Sequence, residues 1–179
     1  MNVLIVFDTT EGHTKKVVEQ VRDTFTEMGE EAELYESSRQ SKSLEVTTHD
    51  AIVVAGSIHQ GRHQDSIGDF VRAHLSELEA LPTAFLSVSL SAAFEDGLQE
   101  AHSYVEQFLI KSGWQPSRIH LVAGALKHSE YDYFKEQFVR YVVLQDRNVA
   151  VGQEDLEFTD WDALKEFTTS FVATIKQYE

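Results

Sequence analysis

Cysteine is absent from this 179-residue chain. Its absence excludes disulfides, thiolate metal sites, iron–sulfur clusters and a cysteine nucleophile. Proline is almost absent too, with two residues, and no Ser/Gly-rich stretch separates the apolar segments. No linker, repeat or low-complexity tract is therefore expected. Positive charge is scarce: 15 Lys and Arg face 30 Asp and Glu, a formal net charge of −15. Binding a phosphate backbone needs clustered cations, so nucleic acid is excluded as a partner, and simple electrostatic docking on anionic lipid is disfavoured. Long apolar runs are also missing, since none approaches the roughly 18–20 residues that span a bilayer. The stretch from Met1 to Asp8 has no basic start, and its apolar run is too short for a signal peptide.

What is present suits one well-packed core. Hydrophobic residues make up 42%, with 11 Phe, 6 Tyr and 2 Trp, and a single cytoplasmic domain over 1–179 is expected. Val3-Leu4-Ile5-Val6-Phe7 is apolar at successive positions, as in a parallel strand covered on both faces. Val17, Val18, Val21, Phe25 and Met28 follow as one face of a helix ended by Gly29. Glu33-Leu34-Tyr35 reads as an edge strand, and Ala51-Ile52-Val53-Val54-Ala55 as a buried one. Ile67, Phe70, Val71, Leu75 and Leu78 mark a second helix, and Pro82 precedes a strand over 83–88. Leu98, Ala101, Val105, Phe108 and Leu109 mark a third helix, stopped by Gly113, before a fifth strand over 119–126. Trp161, Leu164, Phe167, Phe171 and Ile175 form a last helix, with Thr159 or Asp160 as its N-cap. Five strands alternating with helices predict an α/β fold with a doubly wound parallel sheet, carrying an insertion over about 127–158.

In such sheets ligands sit beyond the carboxyl ends of the strands, near the point where the winding reverses. The loop Asp8-Thr9-Thr10-Glu11-Gly12-His13-Thr14 lacks both the Gly-x-Gly-x-x-Gly and the Gly-Lys-Ser/Thr signatures. Its hydroxyls, its glycine and the free N–H groups of a helix N-terminus can still hold a phosphate monoester. An ordinary N-cap reads equally well from this loop alone. The Glu11 side chain is expected to point outward. Gly56-Ser57-Ile58-His59-Gln60-Gly61 after strand three and Ser87-Val88-Ser89-Leu90-Ser91 after strand four are small and polar, as a turn over a flat ligand requires.

Together these loops resemble the flavodoxin family, which implies the strand order 2-1-3-4-5. Narrower signatures include Gly56-Ser57-Ile58-His59-Gln60-Gly61-Arg62-His63, Trp114-x-Pro116, Ala123-Gly124-Ala125-Leu126 and Phe158-Thr159-Asp160-Trp161. They look like those of the flavodoxin-like, quinone-dependent protoporphyrinogen IX dehydrogenases, in order from residue 2 to about 175. The resemblance implies FMN as cofactor, protoporphyrinogen IX and a membrane quinone as substrates, and a place in heme biosynthesis. The cofactor would carry the redox chemistry. By matching position, Thr9, Thr10, Gly12, His13 and Thr14, in the loop that includes Glu11, would hold the phosphate. Ser57, Ile58, His59 and Gly61, then Ser87, Val88, Ser89, Leu90 and Ser91, then Gly124, Ala125 and Leu126, would surround the ring. No metal and no catalytic side chain is expected.

The chain departs from that pattern in two places. Gln60 stands where the family often has an aromatic residue. Over 92–108 there are four acids (Glu95, Asp96, Glu100, Glu106) and no Lys or Arg, where family members are basic. His13, His59 and His63 invite a zinc site, but His59 and His63 would converge only on a helix, which Gly61 disfavours. They are read as exposed loop histidines. The Gly-x-Ser-x-Gly elbow of a hydrolase is missing around Ser57. The aromatic stretch over 131–144 reads as a helix packed on the sheet, as a dimer contact, or as a peripheral membrane or porphyrin contact. With four basic against eight acidic residues over 127–160, docking there would be hydrophobic. A second functional reading is a flavodoxin-like electron carrier whose acidity suits basic protein partners. A third is a binding module that has lost FMN.

Overall fold

Side-chain direction alternates along the first strand, and that alternation organises the molecule. The computed structural model describes residues 1–39, 44–126 and 155–177. In β1 (Asn2–Phe7), Val3, Ile5 and Phe7 face one side of the sheet, while Leu4 and Val6 face the other. All five are buried, as a strand covered on both faces requires. β2 (Glu31–Glu36), β3 (Ala51–His59), β5 (Thr83–Ser89) and β6 (Arg118–Ala123) run parallel with β1 in the order β2-β1-β3-β5-β6. Counting only these five, the order is 2-1-3-4-5, with the reversal between β1 and β3.

On one face, α1 (His13–Glu27) and α5 (Trp161–Ile175) pack Val17, Val21, Phe25, Leu164, Phe171 and Ile175 against the sheet. On the other, α2 (Asp65–Ala73), α3 (Leu75–Ala80) and α4 (Leu98–Ser112) contribute Ile67, Val71, Leu78, Val105 and Phe108 around Phe85 and Trp114. Asp160 caps α5, its carboxylate accepting from the Ala163 N–H at 2.9 Å. Gly113 ends α4 at φ 75°, a left-handed position that glycine occupies without steric cost.

Three local expectations are corrected. The stretch 56–59 is not a loop: β3 continues through His59, turns at Gln60 (φ 52°) and Gly61 (φ 74°), and pairs antiparallel with β4 (Arg62–His63). Two successive positive φ values make the two-residue hairpin turn that matches strand twist. The single helix predicted from 67 to 78 is two, because His74 leaves helical geometry at φ −120°, ψ 24°. The last strand breaks at Gly124, and β7 (Ala125–Leu126) pairs with β8 (Leu156–Glu157) instead. The insertion, apart from residues 155–158, and its 131–144 segment lie outside the described residues. Among the described residues no helix is long and apolar enough to cross a membrane.

One packing constraint is sharp enough to test. A Cβ on Gly97 would sit 2.2 Å from the Ser91 carbonyl oxygen, although Gly97 has an ordinary φ of −92°. Gly97→Ala is expected to cost about 2–3 kcal/mol in urea unfolding, through backbone displacement alone.

Candidate functional site

The carboxyl ends of β1, β3, β5 and β6 meet at a narrow cleft of about 30 Å³. It is lined by Thr9, Glu11, His13 and Thr14 from the first loop and by Ser57, Ile58 and His59 from β3. Val88, Ser89, Leu90, Gly124 and Ala125 complete it. All of these were candidates from the sequence. The first loop is held by its own backbone: the Thr9 N–H donates to Asp8 Oδ1 at 2.7 Å, and the Gly12 N–H to Thr9 Oγ1 at 2.8 Å. Gly12 adopts φ 86°, and α1 begins with no side-chain cap, leaving first-turn N–H groups for another acceptor. The Thr14 hydroxyl is buried there with no hydrogen-bond partner.

The remaining candidates lie around the cleft but do not line it. Thr10 faces a groove on the other flank of the hairpin, and Gly12 supplies the loop's turn. Gly61 lies at the hairpin tip, beside a separate cleft between α2 and α4. Ser87 is fully buried, its hydroxyl 2.9 Å from His63 Nε2, because strand alternation turns it to the Phe85 face, opposite Val88. Ser91 is fully buried and donates to Ser89 Oγ at 3.1 Å. Leu126 joins Leu90 and Phe94 in a small apolar cluster.

Glu11 corrects an expectation. Its side chain turns inward, to 3.8 Å from His59 Nδ1, so the pair bridges the cleft. His63 corrects another: it is 5% exposed, not a surface histidine, and is packed against Phe85 and Phe108 at ring distances of 5.1 and 5.0 Å. Burial pushes its pKa down to about 3, so its imidazole is neutral. His13 is committed elsewhere. Thr159 Oγ1 donates to the Ala123 carbonyl at 2.6 Å, so at 2.7 Å it accepts from His13 Nε2–H.

Sequence reasoning missed three bracing residues. Asp8 is buried and takes hydrogen bonds from the Thr9 N–H, Ser38 and Ser66. Gln64 clamps Ser57 twice, accepting from its N–H at 3.0 Å and donating to its hydroxyl at 2.6 Å. Ser66 and Gln64 stand just before the apolar periodicity of α2, and polar residues at a helix start were the available signal. Gly124 approaches Ser89 so closely that a Cβ would meet its backbone at 3.3 Å.

The flavodoxin domain family model matches residues 4–148. The chain belongs to that family. Protoporphyrinogen IX dehydrogenase (quinone) from Escherichia coli strain K12 is 27% identical over 168 residues, covering 93% of this chain and 92% of that protein. The Leishmania major protein of the same name is 26% identical over 172 residues, covering 95% of this chain and 74% of that protein. A solved archaeal flavodoxin superposes with TM-score 0.55 at 14% identity, covering 98% of this chain and 99% of the other, which is a likeness of fold.

FMN is the cofactor of a flavodoxin domain, and the residues present fit its phosphate. A dianion needs donors more than cations here, and the first loop offers a buried, unpartnered hydroxyl at Thr14 beside uncapped helix N–H groups. Thr14→Val should therefore leave the FMN-free protein as stable as before or slightly more so, since the hydroxyl lacks a partner there. The same change should weaken FMN binding about tenfold or more, as read by flavin fluorescence titration.

His63 gives a second prediction. The unfolded imidazole takes a proton near pH 6.5, while the folded one stays neutral to about pH 3. The associated stability is complete above pH 6.5 and is lost as pH falls through that window, at about 1.4 kcal/mol per unit. Urea unfolding at pH 7 and pH 5 should show this loss in the wild type and a smaller one in His63→Gln.

Proposed function

We propose that this flavodoxin-domain oxidoreductase oxidises protoporphyrinogen IX to protoporphyrin IX with a quinone as acceptor. The observation that carries the reading is the similarity to two proteins of that name over more than nine-tenths of this chain. Bound FMN supplies the two-electron redox chemistry between the porphyrinogen and the quinone. The full oxidation removes six electrons and six protons, so three quinones become three quinols.

The chain's own residues bind, orient and handle protons. The first loop holds the phosphate through Thr14 and backbone N–H groups, with Asp8 fixing the loop from beneath. Ser57, clamped by Gln64, fixes one wall for the ring, and Val88 to Leu90 with Gly124 form the other. The titratable side chains lining the cleft are Glu11, His13 and His59. With His13 Nε2–H engaged by Thr159, Glu11 and His59 are the pair placed to carry a proton. They must part for a flat ring to enter. Gln60 adds no aromatic lid, leaving the outer ring face open to a flat partner.

An anaerobic assay tests the reading. Protein loaded with FMN, given protoporphyrinogen IX and a menaquinone analogue, should produce porphyrin fluorescence in proportion to quinone supplied. No quinone-dependent increase at full FMN loading rejects the dehydrogenase. Rapid one-electron exchange with a basic reductase in that case favours the electron carrier.

A further inference from the structure

A second cleft, of about 240 Å³, lies between α2 and α4 on the far flank of the β3–β4 hairpin. Its charge is the reverse of the molecule's. Arg62, Arg72 and Lys111 line it against one carboxylate, Asp65, in a chain where acids outnumber bases two to one. Its wall is aromatic: Phe108 packs on Phe85 at 4.9 Å and on His63 at 5.0 Å, with Tyr104 alongside. Resting on the dehydrogenase reading, we infer that this cleft receives a carboxylate-bearing arm of the tetrapyrrole substrate.

Four observations support this. The volume suits a carboxyalkyl substituent. The cations are available: Lys111 makes no ion pair among the described residues, and the Arg72–Asp69 and Arg62–Asp65 pairs are solvent-exposed and weak enough to exchange for a ligand carboxylate. Gly68 makes room for one of them. A Cβ there would lie 3.1 Å from an Arg72 guanidinium nitrogen, so the guanidinium rests against bare helix backbone on the cleft side. Finally, the hairpin is a shared wall. His59 lines the flavin cleft, Arg62 and His63 line the second one, and a groove past Thr10 and Gln60 joins the two flanks. A flat ligand over the first cleft can thus pass an arm across the hairpin into the second.

The acids over 92–108 do not contradict this assignment. The cations come instead from the hairpin, from α2 and from the last turn of α4.

The test uses FMN-loaded protein with Arg72→Ala/Lys111→Ala, two exposed positions outside the flavin cleft. Steady-state oxidation is compared for protoporphyrinogen IX and its dimethyl ester, which lacks the charges. The expected result is a KM about five- to tenfold higher for the diacid only, with kcat and FMN content unchanged. Arg72→Lys combined with Lys111→Ala should restore part of the loss seen in the double variant. A KM unchanged for both substrates, or raised equally for both, overturns the inference while leaving the dehydrogenase standing. If the wild type oxidises neither substrate, the dehydrogenase fails, and fluorescence titration with protoporphyrin IX and its dimethyl ester decides the cleft. Weaker diacid binding in the double variant supports it, and equal affinity removes it.

Discussion

Asp8, the first residue after β1, carries a carboxylate shared by three donors from three parts of the chain. The Thr9 N–H holds one oxygen together with the Ser38 hydroxyl, and the Ser66 hydroxyl holds the other. Thus the first loop, the exit from β2 and the start of α2 are tied to one buried group. A carboxylate in this position would be costly without partners, and hydrogen bonds offset that cost. The three donors turned toward Asp8 solvate a carboxylate that lies beneath the first loop. The same helix start reaches the second wall through Gln64 and Ser57, so α2 braces two sides of the cleft.

The net charge of −15 is a poor guide to the sites themselves. In the first loop, donors replace cations: uncapped helix N–H groups and a buried hydroxyl do what lysine does elsewhere. Beyond the hairpin the sign inverts, with three cations gathered from segments far apart in sequence. Acidity spread over the surface and cation clusters at binding sites coexist because screening confines exposed charges to about 10 Å. An acidic chain can therefore present donors at one cleft and cations at another.

The sheet was legible because the central strands carry continuous apolar runs, 3–7, 51–55 and 84–86, and its order followed from the family resemblance. The cleft was legible because parallel strands all end at the same edge of the sheet, which forces the loops after them to one rim. What escaped depends on non-local packing or on backbone detail. The stretch 56–59 looked like a loop because glycine and serine are poor strand formers. Pairing of Gly56 and Ser57 with Ser87 and Val88, with Ile58 buried at the end, overrides that propensity. Gln60 in a left-handed turn gives little sequence signal, since asparagine or glycine usually marks it. His63 is buried by aromatic residues from β5 and α4, more than 20 positions away, so no local pattern announces its neutrality. The break at His74 was hidden because 67, 70, 71, 75 and 78 keep one helical period across it.

The first loop also depends on residues at the far end of the chain. His13 donates to Thr159, and Thr159 in turn to the carbonyl of Ala123 at the end of β6. Lys16 pairs with Glu157, which accepts from the Trp161 indole as well, and the Lys16 ammonium lies 5.0 Å from the Trp161 ring. These bonds, with that from Lys16 foremost, hold Glu157 below its ordinary pKa. The segment that returns to the sheet after residue 154 therefore closes against the first turn of α1. Displacement of that returning segment would loosen His13, and with it the donor geometry at Thr14, one residue on. Glu157 and Thr159 are thereby coupled to the first loop through Lys16 and His13, although the family resemblance alone would place that histidine on the phosphate.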